Sequence, residues 1–260
     1  MLTAGPAASG RFVREFELAR ALAHPHVVRV YDHGVLGAGS GRPGALWLTM
    51  ELLEAGTAAD LVPVPDAGPD LPRVLAVLAQ VAGALDHAHR LDVVHRDVKP
   101  ANVLLRSADP VDAVLGDFGI AQLLDEAAPL APRGRVAGSV PYAAPEVLQA
   151  HRLTPATDVY SLACTLVELL TGDPPYPRST AFAVIHAHLT APPPSLRRRR
   201  AWLPEALDDV VARGLAKEPA DRPPTCGELA GAVAAALDDV EVPPPAPDVP
   251  RRLLRRFRRA

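Results

Sequence analysis

Between residues 95 and 102 the sequence reads His95-Arg96-Asp97-Val98-Lys99-Pro100-Ala101-Asn102, then enters the apolar run Val103-Leu104-Leu105. A base, a cation and an amide thus lie within eight residues. Fifteen residues beyond Asn102 comes Asp117-Phe118-Gly119, also entered from an apolar run, Ala113-Val114-Leu115. Two short strands, each bounded by a carboxylate or an amide, suit a site that holds a divalent ion and a phosphate. Asp97 is the candidate base. Lys99 lies two residues on, on the same side if the segment is extended, where its charge can neutralise a transferring phosphoryl group. Asn102 and Asp117 offer the hard oxygen ligands that magnesium prefers. Moving a γ-phosphoryl group to a hydroxyl asks little covalent chemistry of a protein. It asks for a carboxylate that orients the hydroxyl and takes its proton, and for fixed charge around the phosphates. Either motif alone reads equally as a surface turn or a strand cap; both in this order favour the site.

His-Arg-Asp-x-Lys-x-x-Asn followed by Asp-Phe-Gly resembles the catalytic and metal-binding pair of the eukaryotic-type (Hanks-type) protein kinases, which bacteria also carry. Lys99 is the form found in the serine/threonine branch. The resemblance runs from Arg11 to about Leu237. It implies an α+β fold, protein-kinase-like and bilobal, with a mainly helical C-lobe. It also implies ATP and Mg2+ as cofactors, and proteins with Ser/Thr acceptors as substrates. On this match Asp97 and Lys99 are catalytic, and Asn102 and Asp117 hold the metal. Arg96, Ser139, Glu146, Asp158 and Arg222 fall at structural or regulatory positions.

The elements that must position these residues follow from pattern. Apolar residues at Phe12, Phe16, Ala19, Leu22 and Ala23 make a helical stripe that His24-Pro25 stops. It looks like the family's αC helix, with Glu15 as its glutamate. Val27–His33 and Ala45–Leu53 are β-rich runs separated by a Gly/Ser/Pro-rich loop, and look like the family's strands β4 and β5. Met50 then falls at the gatekeeper position. On this match the backbone of Glu51 and Leu53 is available to adenine, and Leu104 would form its floor. Pro72 to Leu91 carries a clear helical stripe (Val74, Leu75, Leu78, Val81, Ala82, Leu85, Ala88), resembling αE. His87 and His89 on it are two residues apart and face different directions, so packing or exposure explains them better than a metal.

Residues 120–136 stand where the family has its activation loop, and they contain no Ser, Thr or Tyr. The usual phosphate acceptor for Arg96 is therefore missing from this segment, and either Asp125 and Glu126 mimic its charge or the loop is ordered by other means. Ser139 replaces the family's Thr as a structural hydroxyl near Asp97 and Lys99. Glu146 of Ala144-Pro145-Glu146 is expected to pair with Arg222. Asp158 opens an αF-like helix and is expected to anchor the catalytic-loop backbone. Further helices are expected over Ala181–Leu189, Ala206–Leu215 and Cys226–Leu237.

No G-x-G-x-x-G precedes Arg11 and no lysine precedes Lys99. The expectation is a partial N-lobe (1–53) made of αC, β4 and β5 only, with Met1–Gly10 as loop and the β4 edge unpaired. An internal start ranks ahead of evolutionary loss as its cause. The C-lobe spans 54–240, and a Pro-rich spacer with a basic tail spans 241–260.

Composition bounds the rest. The net charge is −3 over 260 residues. Asp248 to Ala260 holds six Arg against one Asp, so the remainder carries −8, which gives no case for nucleic acid. The tail reads equally as a solvated segment and as a contact to an anionic membrane surface. Cys164 and Cys226 are too few and too far apart for a zinc site, and they suit a reducing compartment. No signal peptide is visible, and no apolar stretch is long enough to span a bilayer. The chain reads as cytoplasmic, or peripheral to the inner face of the membrane. Only Lys99 and Lys217 are lysines in an arginine-rich chain, which suggests that position 99 needs a compact ammonium. The leading function is a serine/threonine protein kinase. The alternative is an impaired kinase-like scaffold or pseudokinase that binds partner proteins through its C-lobe.

Overall fold

The computed structural model describes residues 3–4, 17, 20–36, 44–64, 67–117 and 139–243. Glu15 and most of the αC-like stripe, Phe118, Gly119, the segment 120–136 and the basic tail lie outside the described residues.

The N-terminal part holds an antiparallel sheet in the order Thr3–Ala4, Gly44–Met50, Val30–Leu36. Two differences from the sequence reading appear here. Residues 3 and 4 form a short strand against Ala45 and Gly44 rather than belonging wholly to a loop, so αC, β4 and β5 are not the only elements. The first long strand starts at Val30 rather than Val27 because residues 26–28 are drawn elsewhere. Leu115 N–H donates to the His26 carbonyl and Val28 N–H to the Leu115 carbonyl, both at 2.9 Å. This bridge joins the sheet to a second hairpin, Val103–Ala108 with Val111–Leu115.

Among the described residues from 71 onward, six α-helices pack below. Helix α1 (Leu71–His89) is capped by Asp70, whose carboxylate accepts from Arg73 N–H, and has Pro72 in its first turn. Its buried face (Val74, Leu78, Val81, Leu85, Ala88) is the apolar stripe of the sequence. A short α2 (Pro145–Leu148) precedes α3 (Pro155–Thr171), which buries 13 of its 17 residues and so is core on every side. Thr154 closes a capping box at its start. Gly172 ends it with φ +94°, where a Cβ would lie 2.9 Å from the Pro63 carbonyl. Helices α4 (Ala181–Thr190), α5 (Glu205–Gly214) and α6 (Cys226–Ala236) complete the bundle within a residue or so of expectation. Among the described residues no helix is long and apolar enough to cross a membrane.

Candidate active site

The second hairpin sets the geometry. Val103 pairs with Leu115, so Asn102 and Asp117 stand just beyond its open end. Gly116 N–H donates to the Asn102 carbonyl at 3.0 Å and closes that end. Asp117 is exposed, with a left-handed backbone at φ 57°.

The side chains of residues 97–102 converge on one carboxylate. Lys99 Nζ donates to Asp97 Oδ2 at 2.6 Å and to Ser139 Oγ at 3.0 Å. Asn102 Nδ2 donates to the same Oδ2 at 2.9 Å and to the Asp97 carbonyl at 2.8 Å. Asp97 Oδ1 is buried and has no hydrogen-bond partner among the described residues. A buried carboxylate oxygen left unpaired in a polar cluster is unfavourable unless something else meets it. Half of Asp97 is therefore fixed by Lys99 and Asn102, and Oδ1 is left without a partner among the described residues.

The backbone beneath is fastened from α3. Asp158, fully buried, accepts the His95 N–H on Oδ2 and the Arg96 N–H on Oδ1, both at 2.8 Å. His95 Nε2 lies 2.8 Å from the Gly116 carbonyl, and Asp97 N–H lies 3.2 Å from Nδ1. A carbonyl only accepts and an amide N–H only donates, so the proton sits on Nε2. His95 thus ties the loop to the hairpin. Arg96 is exposed and left-handed, with φ 73°.

Farther out, Glu146 and Arg222 form a buried two-pronged pair at 2.7 and 2.8 Å, with Thr157 Oγ1 donating to the same carboxylate. Burial alone would push the Glu146 carboxyl up, but the hydrogen bonds and charge of Arg222 outweigh it and hold it below the usual range.

On the sheet side, Leu53 and Leu104 pack with Val28, Val30, Leu48 and Val114 in a small apolar cluster, and Met50 is 42% exposed beside it. Glu51 is committed at its side chain: Arg106 donates to both carboxylate oxygens at 2.8 and 3.1 Å and holds its pKa down. A cavity of about 590 Å3 lies by Leu22, Pro25, Tyr31, Glu51 and Arg106 and contains none of Asp97, Asn102 or Asp117. Its size marks it less than the chemistry marks the carboxylate cluster.

The sequence reading missed His89. Neither simply packed nor exposed, its Nε2 lies 2.7 Å from Asp158 Oδ2. The only hint was its place on the helix that feeds the catalytic loop.

The protein kinase domain family matches residues 4–231, and the chain belongs to that family. Its relatives lie in the serine/threonine branch. It is 42% identical to the serine/threonine-protein kinase PknJ of Mycobacterium tuberculosis over 92% of this chain and 41% of that protein. It is 39% identical to PknF of the same organism over 94% of this chain and 52% of that protein. The chain thus spans about half the length, or less, of these curated relatives. A crystal structure of the M. tuberculosis PknI kinase domain superposes with a TM-score of 0.68 and 35% identity, covering 90% of this chain and 81% of that one.

Proposed function

We propose that this chain transfers the γ-phosphoryl group of ATP to Ser or Thr hydroxyls of protein substrates, with lobes meeting near residue 53. The observation that carries the proposal is the divided carboxylate of Asp97. Its Oδ2 is held by Lys99 and Asn102, while Oδ1 is buried and unpaired among the described residues. In this reading Oδ1 orients the substrate hydroxyl and accepts its proton as the oxygen–phosphorus bond forms. Lys99 places its ammonium beside that bond, steadied by Ser139 Oγ. Asn102 and Asp117 would hold Mg2+ through oxygen atoms, a donor set that fits a small hard cation. Bound there, the ion neutralises charge on the phosphates. The apolar cluster of Leu53 and Leu104, with Met50 beside it, supports an adenine seat reached by the backbone of Glu51 and Leu53.

The test is phosphate transfer from Mg-ATP to a basic protein substrate. The Asp97→Asn variant should lose at least about 100-fold in rate, the loss expected when a general base is removed. Equal signal from both forms would sink the enzymatic reading and leave the kinase-like scaffold.

A further inference from the structure

The end of α1 meets the start of α6 through three side chains of different chemistry. Asp86 and His89 stand three residues apart on one face of α1, and Cys226, fully buried, opens α6. A carboxylate oxygen of Asp86, a ring nitrogen of His89 and the sulfur of Cys226 all lie within 4.8 Å of one another. Since His89 Nε2 points its proton at a carboxylate of α3, Nδ1 is the nitrogen left to this cluster, 3.9 Å from Asp86 Oδ1. Asp86 is already oriented by α6: Oδ1 accepts the Cys226 N–H and Oδ2 the Gly227 N–H, both at 2.9 Å. It sits so close that a Cβ on Gly227 would lie 2.8 Å from Oδ2. Each of its oxygens keeps a second lone pair. Burial, with the charges of Asp158 and Asp86 behind it, pushes the Cys226 thiol well up. Among the described residues no Lys or Arg pairs with either carboxylate. The cluster thus gathers donors and negative charge with no fixed cation to answer them.

We propose that Asp86, His89 and Cys226 bind a zinc ion, with an Asp86 oxygen, His89 Nδ1 and Cys226 Sγ as ligands and water in the fourth position. Nitrogen, sulfur and oxygen together suit zinc, whereas magnesium takes oxygen alone. Zinc bonds of about 2.0–2.3 Å bring ligand atoms to roughly 3.3–3.7 Å from one another, so side-chain adjustment of about an ångström closes the site. The Nε2–H of His89 on a carboxylate is the outer hydrogen bond that orients a metal-bound imidazole. As the sulfur–zinc bond forms, the thiol proton leaves to solvent, and the cation reverses the charge that kept the thiol protonated. The Asp86 side chain, 20% exposed, supplies the way in. The sequence hid this site because His89 was weighed against His87 and Cys226 against Cys164, while their neighbour in space is Asp86.

The probes are Co2+ and Zn2+ added to the unaltered chain after chelator treatment. Co2+ should give a sulfur-to-cobalt charge-transfer band in the near ultraviolet that saturates at about one equivalent, and Zn2+ should displace it. Cys226→Ala should lose the band, Cys164→Ala should keep it, and His89→Gln should weaken Co2+ binding at least about tenfold. Zn2+ should also raise the Tm of the unaltered chain by at least about 3 °C and leave that of Cys226→Ala unmoved. No band in the unaltered chain overturns the proposal. So does a band, or a zinc-induced rise in Tm, that survives in Cys226→Ala, and so does equal affinity in His89→Gln. Should Cys226→Ala not fold, Cys226→Ser carries the comparison, since oxygen in place of sulfur gives no such band. Co2+ on the oxygens of Asn102 and Asp117 gives none either, so the outcome is independent of the kinase reading.

Discussion

Arg222 places each of its five N–H groups on an acceptor: Ala216 O, Ala156 O, Lys217 O and the two oxygens of Glu146. Its guanidinium also lies 4.8 Å from the Tyr160 ring centre. Both partners are almost fully buried, so neither can turn to water if the other is removed. Arg222→Met is expected to cost about 3–5 kcal/mol in urea unfolding, most of it from the carboxylate left alone. The double variant Glu146→Leu/Arg222→Met should recover a large part of that loss, since it removes both charges. A double variant as unstable as the single one would mean that the fork to the three carbonyls, not the ion pair, holds this region.

At the scale of elements, the hairpin that carries Asn102 and Asp117 has an outer edge with no third strand among the described residues. The outer edge of Val111–Leu115 is met group by group instead. Gln80 of α1 donates to the Val111 carbonyl at 3.0 Å and accepts the Ala113 N–H at 2.6 Å. His26 Nδ1 lies 2.9 Å from the Ala113 carbonyl, and the backbone of residues 26 and 28 takes both polar groups of Leu115. Gln80→Leu fits the apolar stripe of α1 better than the native residue does, yet it strands two backbone groups. The expected destabilisation is about 1–3 kcal/mol for each, read by thermal or urea unfolding. A Gln80→Leu protein as stable as the parent would show that water or a neighbour replaces the amide. Here lies the limit of what the sequence could show. Periodicity located α1, α3 and the later helices because burial of a stripe is a local property. His-Arg-Asp and Asp-Phe-Gly spacing brought out Asp97, Asn102 and Asp117 because they border adjoining strands. Gln80 lies outside the apolar stripe and His89 read as packed or exposed, since their partners lie 31 to 69 residues away along the chain. The strand at Val30 was misplaced by three residues because His26 answers to Ala113, 87 residues on.

For the molecule as a whole, α3 is where the parts meet. Its Thr157 reaches Glu146, its Asp158 the catalytic loop, and its Tyr160 both the Arg222 guanidinium and His188 of α4. His188 is fully buried, with Tyr160 O–H donating to Nδ1 at 2.8 Å and the Tyr176 ring edge-on at 4.9 Å. Burial first, and then the Lys217 charge, lower its pKa from 6.5 to about 4, against a small opposing pull from the Pro141 carbonyl. Between those two values the unfolded chain binds a proton that the folded chain does not. Stability from this group is therefore complete above pH 6.5 and is lost as the pH falls toward 4. Glu146, whose carboxyl is held below its ordinary value of 4.5, acts in the same direction only at lower pH. Lys217, brought down to about 8, is already charged throughout this range. Urea unfolding between pH 7 and pH 4.5 thus isolates the histidine from the other two. The parent should weaken steadily across that interval, while His188→Gln, which keeps an acceptor for Tyr160 and cannot titrate, should show a flatter profile. On the proposed function, loss of phosphate transfer on acidification should track unfolding in the parent, because the backbone of residues 95 and 96 hangs on the same helix. Parallel profiles for parent and variant would place the acid sensitivity outside His188.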